Sequence, residues 1–267
     1  MTSQAAPTPR RDATVPEVLV TTEQGVMVVT INRPQAKNAV TLAVSEGVAA
    51  ALDELDACDD LMVGIITGAG GTFCAGMDLK AFLLGERPVL PGRGFAGITE
   101  APPAKPLIAA VEGYALAGGC EIVLACDMVT AGRSARFGIP EAKRGLVAAA
   151  GGLLRLPERI PPAVAMELAL TGEFLDATRA YDLGLVNRLT DDGSALDEAL
   201  ELAHTIAANG PLATRASKRV MVEYQGWPVA ERFVRQREIV DPVVTSQDAR
   251  EGARAFAEKR RPNWQAR

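Results

Sequence analysis

A chain of 267 residues, 48% apolar but only 4% aromatic, has enough apolar surface for one main core plus an appended segment, and Ala, Val, Leu and Ile must fill that core. A net charge of −5 excludes a general nucleic-acid binder, which needs basic surface to displace counterions. The single histidine, His204, excludes a His-based metal cluster; within LDEALELAHTIAANG it reads as an ordinary residue of an amphipathic helix, not as a triad base.

The first 15 residues are polar and proline-rich and carry no apolar run, so they read as disordered and not as a secretory signal. Val26–Ile31 (VMVVTI) predicts a strand closed by the turn residues Asn32-Arg33-Pro34, and Thr41 starts a helical stretch. Met62–Thr67 (MVGIIT) predicts a second strand, followed by the loop GAGGTFCAGMD. Residues 85–106 are rich in Gly and Pro and have no period, so they read as a long mobile loop. Leu107–Val111 is a further strand ending at Glu112-Gly113. CEIVLACDM, MVTAG, RFGIPEA, PPAVAMELALTG and LGLVNRL then alternate helix and strand, and from 194 onward helical patterns follow one another to the end. This order predicts an α/β fold: residues 16–193 as the core carrying the site, and 194–267 as a helical C-terminal segment. No run of 18 apolar residues is present, so no membrane span is expected, and a cytoplasmic enzyme is the expectation. Cys58, Cys74, Cys120 and Cys126 form no C-x-x-C pair and read as reduced core residues.

The strand-loop MVGIITGAGGTF imitates a dinucleotide-binding turn. Gly68 and Gly70 fit that fingerprint, but its third glycine position holds Phe73, and no convincing ribose-binding acid follows about 20 residues on. No G-K-[ST] of a P-loop occurs.

Three segments carry the chemistry: Phe73-Cys74-Ala75-Gly76-Met77-Asp78-Leu79, Gly113 through Glu121 (GYALAGGCE), and Arg136-Phe137-Gly138-Ile139-Pro140-Glu141. In the second, Gly118 and Gly119 fall at a helix N-terminus. There the N–H groups lack intrahelical partners, and a ligand can approach the bare backbone closely. Glu121 follows about one turn in. Taken singly, Glu121 and Glu141 read equally well as helix-start acids, and Gly76 as a plain turn.

Together with Asn32-Arg33-Pro34, Lys37-Asn38-Ala39 and the late Phe256-Ala257-Glu258-Lys259-Arg260, these segments closely resemble the crotonase, or enoyl-CoA hydratase/isomerase, family from about Val18 onward. The resemblance implies a spiral of ββα units with a C-terminal helical region that forms trimers, often paired into hexamers. It implies an acyl-CoA thioester whose carbonyl is held by the backbone N–H groups of Met77 and Gly118. It also implies two proton-handling carboxyls: Glu121 activates a water for attack on Cβ, and Glu141 supplies the Cα proton. Coenzyme A then falls to Lys37, Ala39, Ala75 and Asp78, with Lys259 and Arg260 reaching the phosphates from the same or a neighbouring subunit. No metal and no cofactor beyond the substrate's own coenzyme A is implied, and the partners are the thioester and further copies of the chain, not nucleic acid or membrane.

The glutamate pair points to a hydratase of lipid metabolism. One departure stands out. After the second glutamate the family's common hydratase run contains a proline, whereas this chain reads Gly145-Leu146-Val147-Ala148-Ala149-Ala150-Gly151-Gly152. That leaves acyl preference open and leaves room for an acyl-CoA dehydratase; a Δ3-Δ2-enoyl-CoA isomerase stays as an alternative because some isomerases of the family also use glutamate at this place. A non-enzymatic CoA- or RNA-binding relative fits less well with an acidic chain and an intact pair.

Overall fold

Apolar runs with short turns between them begin the described part of the chain. The computed structural model describes residues 15–267, so the N-terminal stretch expected to be disordered lies, through residue 14, outside the described residues. Strand β1 (Val18–Glu23) turns at Gln24-Gly25, both at positive φ, and pairs antiparallel with β2 (Val26–Ile31). Such a two-residue turn matches the right-handed twist of the hairpin. The sequence reading found β2 and missed β1. Most of β1 is exposed, so it carries no apolar alternation to read.

Helix α1 (Leu42–Ala57) starts where the Thr41 hydroxyl accepts the Val44 N–H, an N-cap. It buries Val44, Val48, Leu52 and Leu55, three or four residues apart. Next come β3 (Val63–Gly68), the short α2 (Leu79–Leu83), a small hairpin of β4 (Val89–Leu90) and β5 (Gly94–Phe95), then β6 (Leu107–Val111), β7 (Tyr114–Leu116) and α3 (Gly118–Ala125). They are followed by β8 (Met128–Gly132), β9 (Arg136–Gly138), a 3-10 turn at Pro140–Arg144, α4 (Gly152–Arg159), α5 (Pro162–Thr171), β10 (Leu175–Asp176), α6 (Ala177–Asp182) and β11 (Arg188–Thr190). Four helices complete the chain: α7 (Ala195–Ala207), α8 (Pro211–Glu223), α9 (Arg232–Val244) and α10 (Gln247–Glu258).

The main sheet runs β1-β2-β3-β6-β8-β11, parallel from β2 onward. A smaller layer runs β10-β9-β7 and is continued by a bridge from Ala115 to Cys74. Each of β3, β6 and β8 therefore steps into the small layer, at Cys74, β7 and β9 in turn, and then into a helical piece. That repeat is the ββα spiral expected from the sequence. Both faces of the parallel strands are covered, which is why β3 and β6 are continuous apolar runs rather than alternating ones. One face carries the main core. The other packs Val63, Ile65 and Ile108 under α7, where Ala199 and Ala203 let the helix approach closely.

The stretch 85–106, expected to be a long mobile loop, is instead a packed structure. β4 and β5 pair, and residues 94–99 are all buried. Its glycines serve positive-φ turns at Gly92, Gly94 and Gly97, so a Gly-rich composition marked tight packing and not freedom.

At the other end, the Asp248 carboxylate accepts the N–H groups of Gln265 and Ala266 at 2.8 and 3.0 Å, and the Trp264 indole donates to the Ala208 carbonyl at 2.9 Å. The last residues are thereby strapped over α10 and α7. Met221, Val222, Phe233, Val244 and Phe256 of this helical region are all exposed. Among the described residues no helix is long and apolar enough to cross a membrane.

Candidate active site

Two backbone turns meet at the edge of the small layer. The Cys74 N–H donates to the Tyr114 carbonyl at 2.8 Å and the Leu116 N–H to the Cys74 carbonyl at 3.0 Å, which lays the 74–78 loop beside β7. On its other side, the Val40 N–H donates to Gly76 and the Asp78 N–H to Val40. This ladder uses the groups on either side of Met77 and leaves the Met77 N–H with no acceptor among the described residues. Gly118 and Gly119 open α3, so their N–H groups are also without partners.

The two turns are in contact. A Cβ built on Gly76, at φ +98°, would sit 3.2 Å from the Gly118 nitrogen and 2.9 Å from the Ala117 Cβ. A side chain at Gly118 would strike the Phe95 ring, and one at Gly119 the Cys74 carbonyl. Glycine is therefore needed at these positions for close approach. Ala117 between them holds φ 52°, ψ −127°, a conformation that favours glycine. This is local backbone strain of the kind stored where a structure fixes a functional turn.

Glu121 lies one turn into α3 and is 4% exposed. Its Oε1 accepts two N–H groups, from Ala150 at 2.7 Å and Gly152 at 2.9 Å. Both donors come from the run that departs from the common pattern. Burial pushes this carboxyl above its ordinary range, and the two N–H groups and the nearby Arg155 charge pull it back toward the ionised form.

Glu141, in the 3-10 turn after β9, is half-buried, and its Oε2 is buried with no hydrogen-bond partner among the described residues. Burial pushes its pKa up to about 7. Its own backbone N–H and Arg144 work against that shift, while the Glu121 charge adds to it. The two carboxyls are thus electrostatically coupled and held differently: one as a doubly hydrogen-bonded acceptor, the other with an unpartnered oxygen and a strongly raised pKa.

The segment 37–39 meets the 75–78 loop. The Lys37 carbonyl accepts the Ala75 N–H at 3.0 Å, and its ammonium lies 5.2 Å from the Tyr114 ring centroid. The Ala39 carbonyl accepts from the Arg33 guanidinium. Arg33 also pairs with Asp78 at 3.0 Å, and Asp78 caps α2 through the N–H groups of Lys80 and Ala81. Burial works to raise the Asp78 pKa, but these N–H donors and Arg33 outweigh it and hold it below its ordinary value. The Asp78 carboxylate is therefore committed within the protein, and its backbone is engaged too: the N–H donates to the Val40 carbonyl and the carbonyl accepts the Phe82 N–H.

Lys259 ends α10 in the left-handed conformation, and Arg260 is paired with Glu251 and Glu258. Those contacts lie within the C-terminal region and not at the 37–39 and 75–78 loops, so the structure brings four of the six candidate coenzyme-A residues together.

Sequence reasoning missed Asn38 as a positioning group. It is fully buried in the left-handed region, and its side chain donates to the Ala69 and Thr72 carbonyls while accepting the Arg33 N–H. The available signal was an asparagine in a turn, since Asn tolerates that backbone conformation. The supporting roles of Ala150, Gly152 and Arg155 were also missed.

Cys120 lies beside both glutamates, but burial raises its pKa to about 12, so it offers no thiolate nucleophile. Among the described residues no group of His, Cys, Asp or Glu is arranged to hold a metal. His204 is an exposed residue of α7.

The sequence matches the family described as enoyl-CoA hydratase/isomerase over residues 21–267. A protein of Mycobacterium tuberculosis (strain ATCC 25618 / H37Rv) named enoyl-CoA hydratase EchA19 is 44% identical over 263 residues, covering 94% of this chain and 97% of that protein. A protein of Proteus mirabilis (strain HI4320) named carnitinyl-CoA dehydratase is 41% identical, covering 93% of this chain and 98% of its own length. The crystal structure of an enoyl-CoA hydratase from Mycobacterium tuberculosis H37Rv superposes with a TM-score of 0.93 at 61% identity, covering 95% of this chain and all of that one.

Proposed function

We propose that this chain, which belongs to the enoyl-CoA hydratase/isomerase (crotonase) family, adds water across the double bond of a 2-enoyl-CoA thioester to give a 3-hydroxyacyl-CoA. The observation that carries this reading is the pair of unlike carboxyls, Glu121 and Glu141, set beside two unpartnered backbone N–H groups. The thioester carbonyl accepts from the N–H groups of Met77 and Gly118. Charge grows on that oxygen as water attacks Cβ, and donors already in place stabilise it; one such donor is worth about 3–4 kcal/mol. Glu121, in its ionised form and accepting two N–H groups, takes the proton of the attacking water, and Glu141 gives its proton to Cα. Such acid/base assistance typically contributes about 10²- to 10⁴-fold. Run in reverse, the same groups dehydrate a 3-hydroxyacyl-CoA. The dehydratase name of the Proteus relative favours that as the second reading.

Coenzyme A lies along Lys37, Ala39, Ala75 and Asp78. Lys259 and Arg260 serve it only if α10 of a neighbouring subunit reaches the site. We place the enzyme in the cytoplasm. A panel of 2-enoyl-CoAs graded in length and bulk tests the reading: hydration of at least one member is expected, and migration of the double bond without hydration of any member would replace it with the isomerase.

The two carboxyls give a signed pH dependence. Activity requires Glu121 ionised and Glu141 protonated. The kcat/KM for hydration should therefore rise on the acid side as Glu121 ionises, and fall as pH passes through about 7, where Glu141 loses its proton. A profile flat from pH 6 to about 9 would contradict this assignment.

The exposed Phe233, Val244 and Phe256 on α9 and α10 are apolar surface of the kind that marks an interface. Light scattering is expected to give three or six times the 28.1 kDa chain mass; a stable monomer at micromolar concentration would refute the assembly.

A further inference from the structure

Gly118 and Glu121 share α3, but the packing behind each comes from a different part of the fold, and one side chain ties those parts together. Gly118 is backed by Phe95, whose ring fills the space a Cβ would occupy. Phe95 begins, with Gly94, the buried segment 94–99, where the Thr99 N–H donates to the Phe95 carbonyl at 3.3 Å. Glu121 is held from the opposite side by Ala150 and by Gly152, the first residue of α4. Arg155 stands one turn into α4; its backbone N–H donates to the Gly151 carbonyl, and its guanidinium reaches out of the helix to the Thr99 carbonyl at 2.7 Å. The contacts therefore form a ring, from Gly118 through Phe95, Thr99, Arg155 and Gly152 to Glu121, closed by α3 itself.

We propose that Arg155 is a positioning residue: by pinning the 94–99 segment to α4, its guanidinium fixes where the Glu121 carboxylate points relative to the Gly118 oxyanion donor, three residues before it on α3. The inference rests on the hydratase reading above. The chemistry suits arginine in particular. Its rigid fork has donors to spare and stays charged when half-buried, and it spends its bond here on a neutral carbonyl and not on a carboxylate. Its positive charge, faced also by Glu158 and Arg159 of α4, acts on the surroundings. The nearby Glu121 carboxylate feels it, whereas Glu141 feels Arg144. The same side chain therefore fixes the geometry of the base and, with the Gly152 and Ala150 N–H groups, opposes the upward push of burial on its pKa.

Two substitutions separate these roles. Arg155→Met removes both the bond and the charge. It should lower kcat roughly tenfold with KM changed less than about twofold, because a misplaced base costs rate more than binding. It should also move the acid limb of the pH profile to higher pH, since loss of a nearby cation makes Glu121 easier to protonate. Arg155→Lys keeps the charge and loses the fork. Lysine is shorter than the guanidinium that reaches the Thr99 carbonyl, so kcat should fall while the acid limb stays where wild type has it. Circular dichroism and oligomer mass check folding, and if Arg155→Met fails there, Arg155→Lys decides. A folded Arg155→Met with wild-type kcat, one whose kcat falls without movement of the acid limb, or a folded Arg155→Lys with wild-type kcat would overturn the proposal. A wild-type protein that hydrates no enoyl thioester would remove the underlying reading instead and leave the Arg155 geometry as a structural tie only.

Discussion

Glu121→Gln and Glu141→Gln are each expected to lower hydration by about 10²-fold or more, and they should do so without weakening the fold. At position 121 an amide oxygen still accepts the N–H groups of Ala150 and Gly152, so the loop carrying both donors stays in place while the base is lost. At position 141 the Oε2 oxygen has no partner to lose. The effect on stability has a definite sign. The Glu141 pKa in the folded protein, about 7, lies above its ordinary value. Between those two values the unfolded chain loses its proton first, so stability falls as pH rises through that interval. Glutamine escapes this penalty. Glu141→Gln should therefore match the wild-type melting temperature near pH 5, where the carboxyl is protonated in the folded state, and exceed it near pH 8. A variant that is inactive yet at least as stable would place Glu141 among groups strained for function. Near-normal turnover in either well-folded variant would end the acid/base assignment.

Removing the Gly118 N–H should be comparably damaging. Gly118→Pro deletes the donor, and loss of one such donor costs about 10²- to 10³-fold in kcat. The first position of a helix tolerates proline because its N–H has no intrahelical role, so α3 need not break. The obstacle is the Phe95 ring, which would collide with the new side chain. A comparison of Phe95→Ala with Phe95→Ala/Gly118→Pro removes that collision and isolates the N–H; the double variant should be at least roughly 100-fold slower than the single. Met77→Leu, in contrast, keeps its backbone donor and a similar volume, and should retain most activity. If the double variant equals Phe95→Ala in rate, or if Met77→Leu is as damaging as the proline, the carbonyl is not held by these backbone groups.

Much of this architecture was legible in the residues. The apolar runs of β2, β3 and β6 have nothing between them but turns and helices, and a parallel sheet covered on both faces leaves that record. The paired turns were legible because bare glycines at Gly76, Gly118 and Gly119 answer to a close approach of backbone to backbone. β1 was not legible, since an exposed edge strand has no period. Nor was the 94–99 segment, whose glycines read as looseness although each serves a packed turn. The network around the site was hidden for a different reason. Asn38, Arg155 and the Ala150 and Gly152 N–H groups act across sequence separations of 29 to 56 residues, and no local pattern encodes such a pairing. Asp78 shows the opposite error: its place in the loop was readable, but not that Arg33 and a helix cap had already engaged its carboxylate.

The most direct test of the central claim is to incubate the wild-type protein with a 2-enoyl-CoA in water enriched in oxygen-18 and to follow the product by mass spectrometry. The account predicts a 3-hydroxyacyl-CoA carrying one heavy oxygen at C3, formed by wild type and not, on the same time scale, by Glu121→Gln or Glu141→Gln. A product with the double bond moved and no heavy oxygen, or heavy-oxygen product formed equally well by either variant, would contradict it.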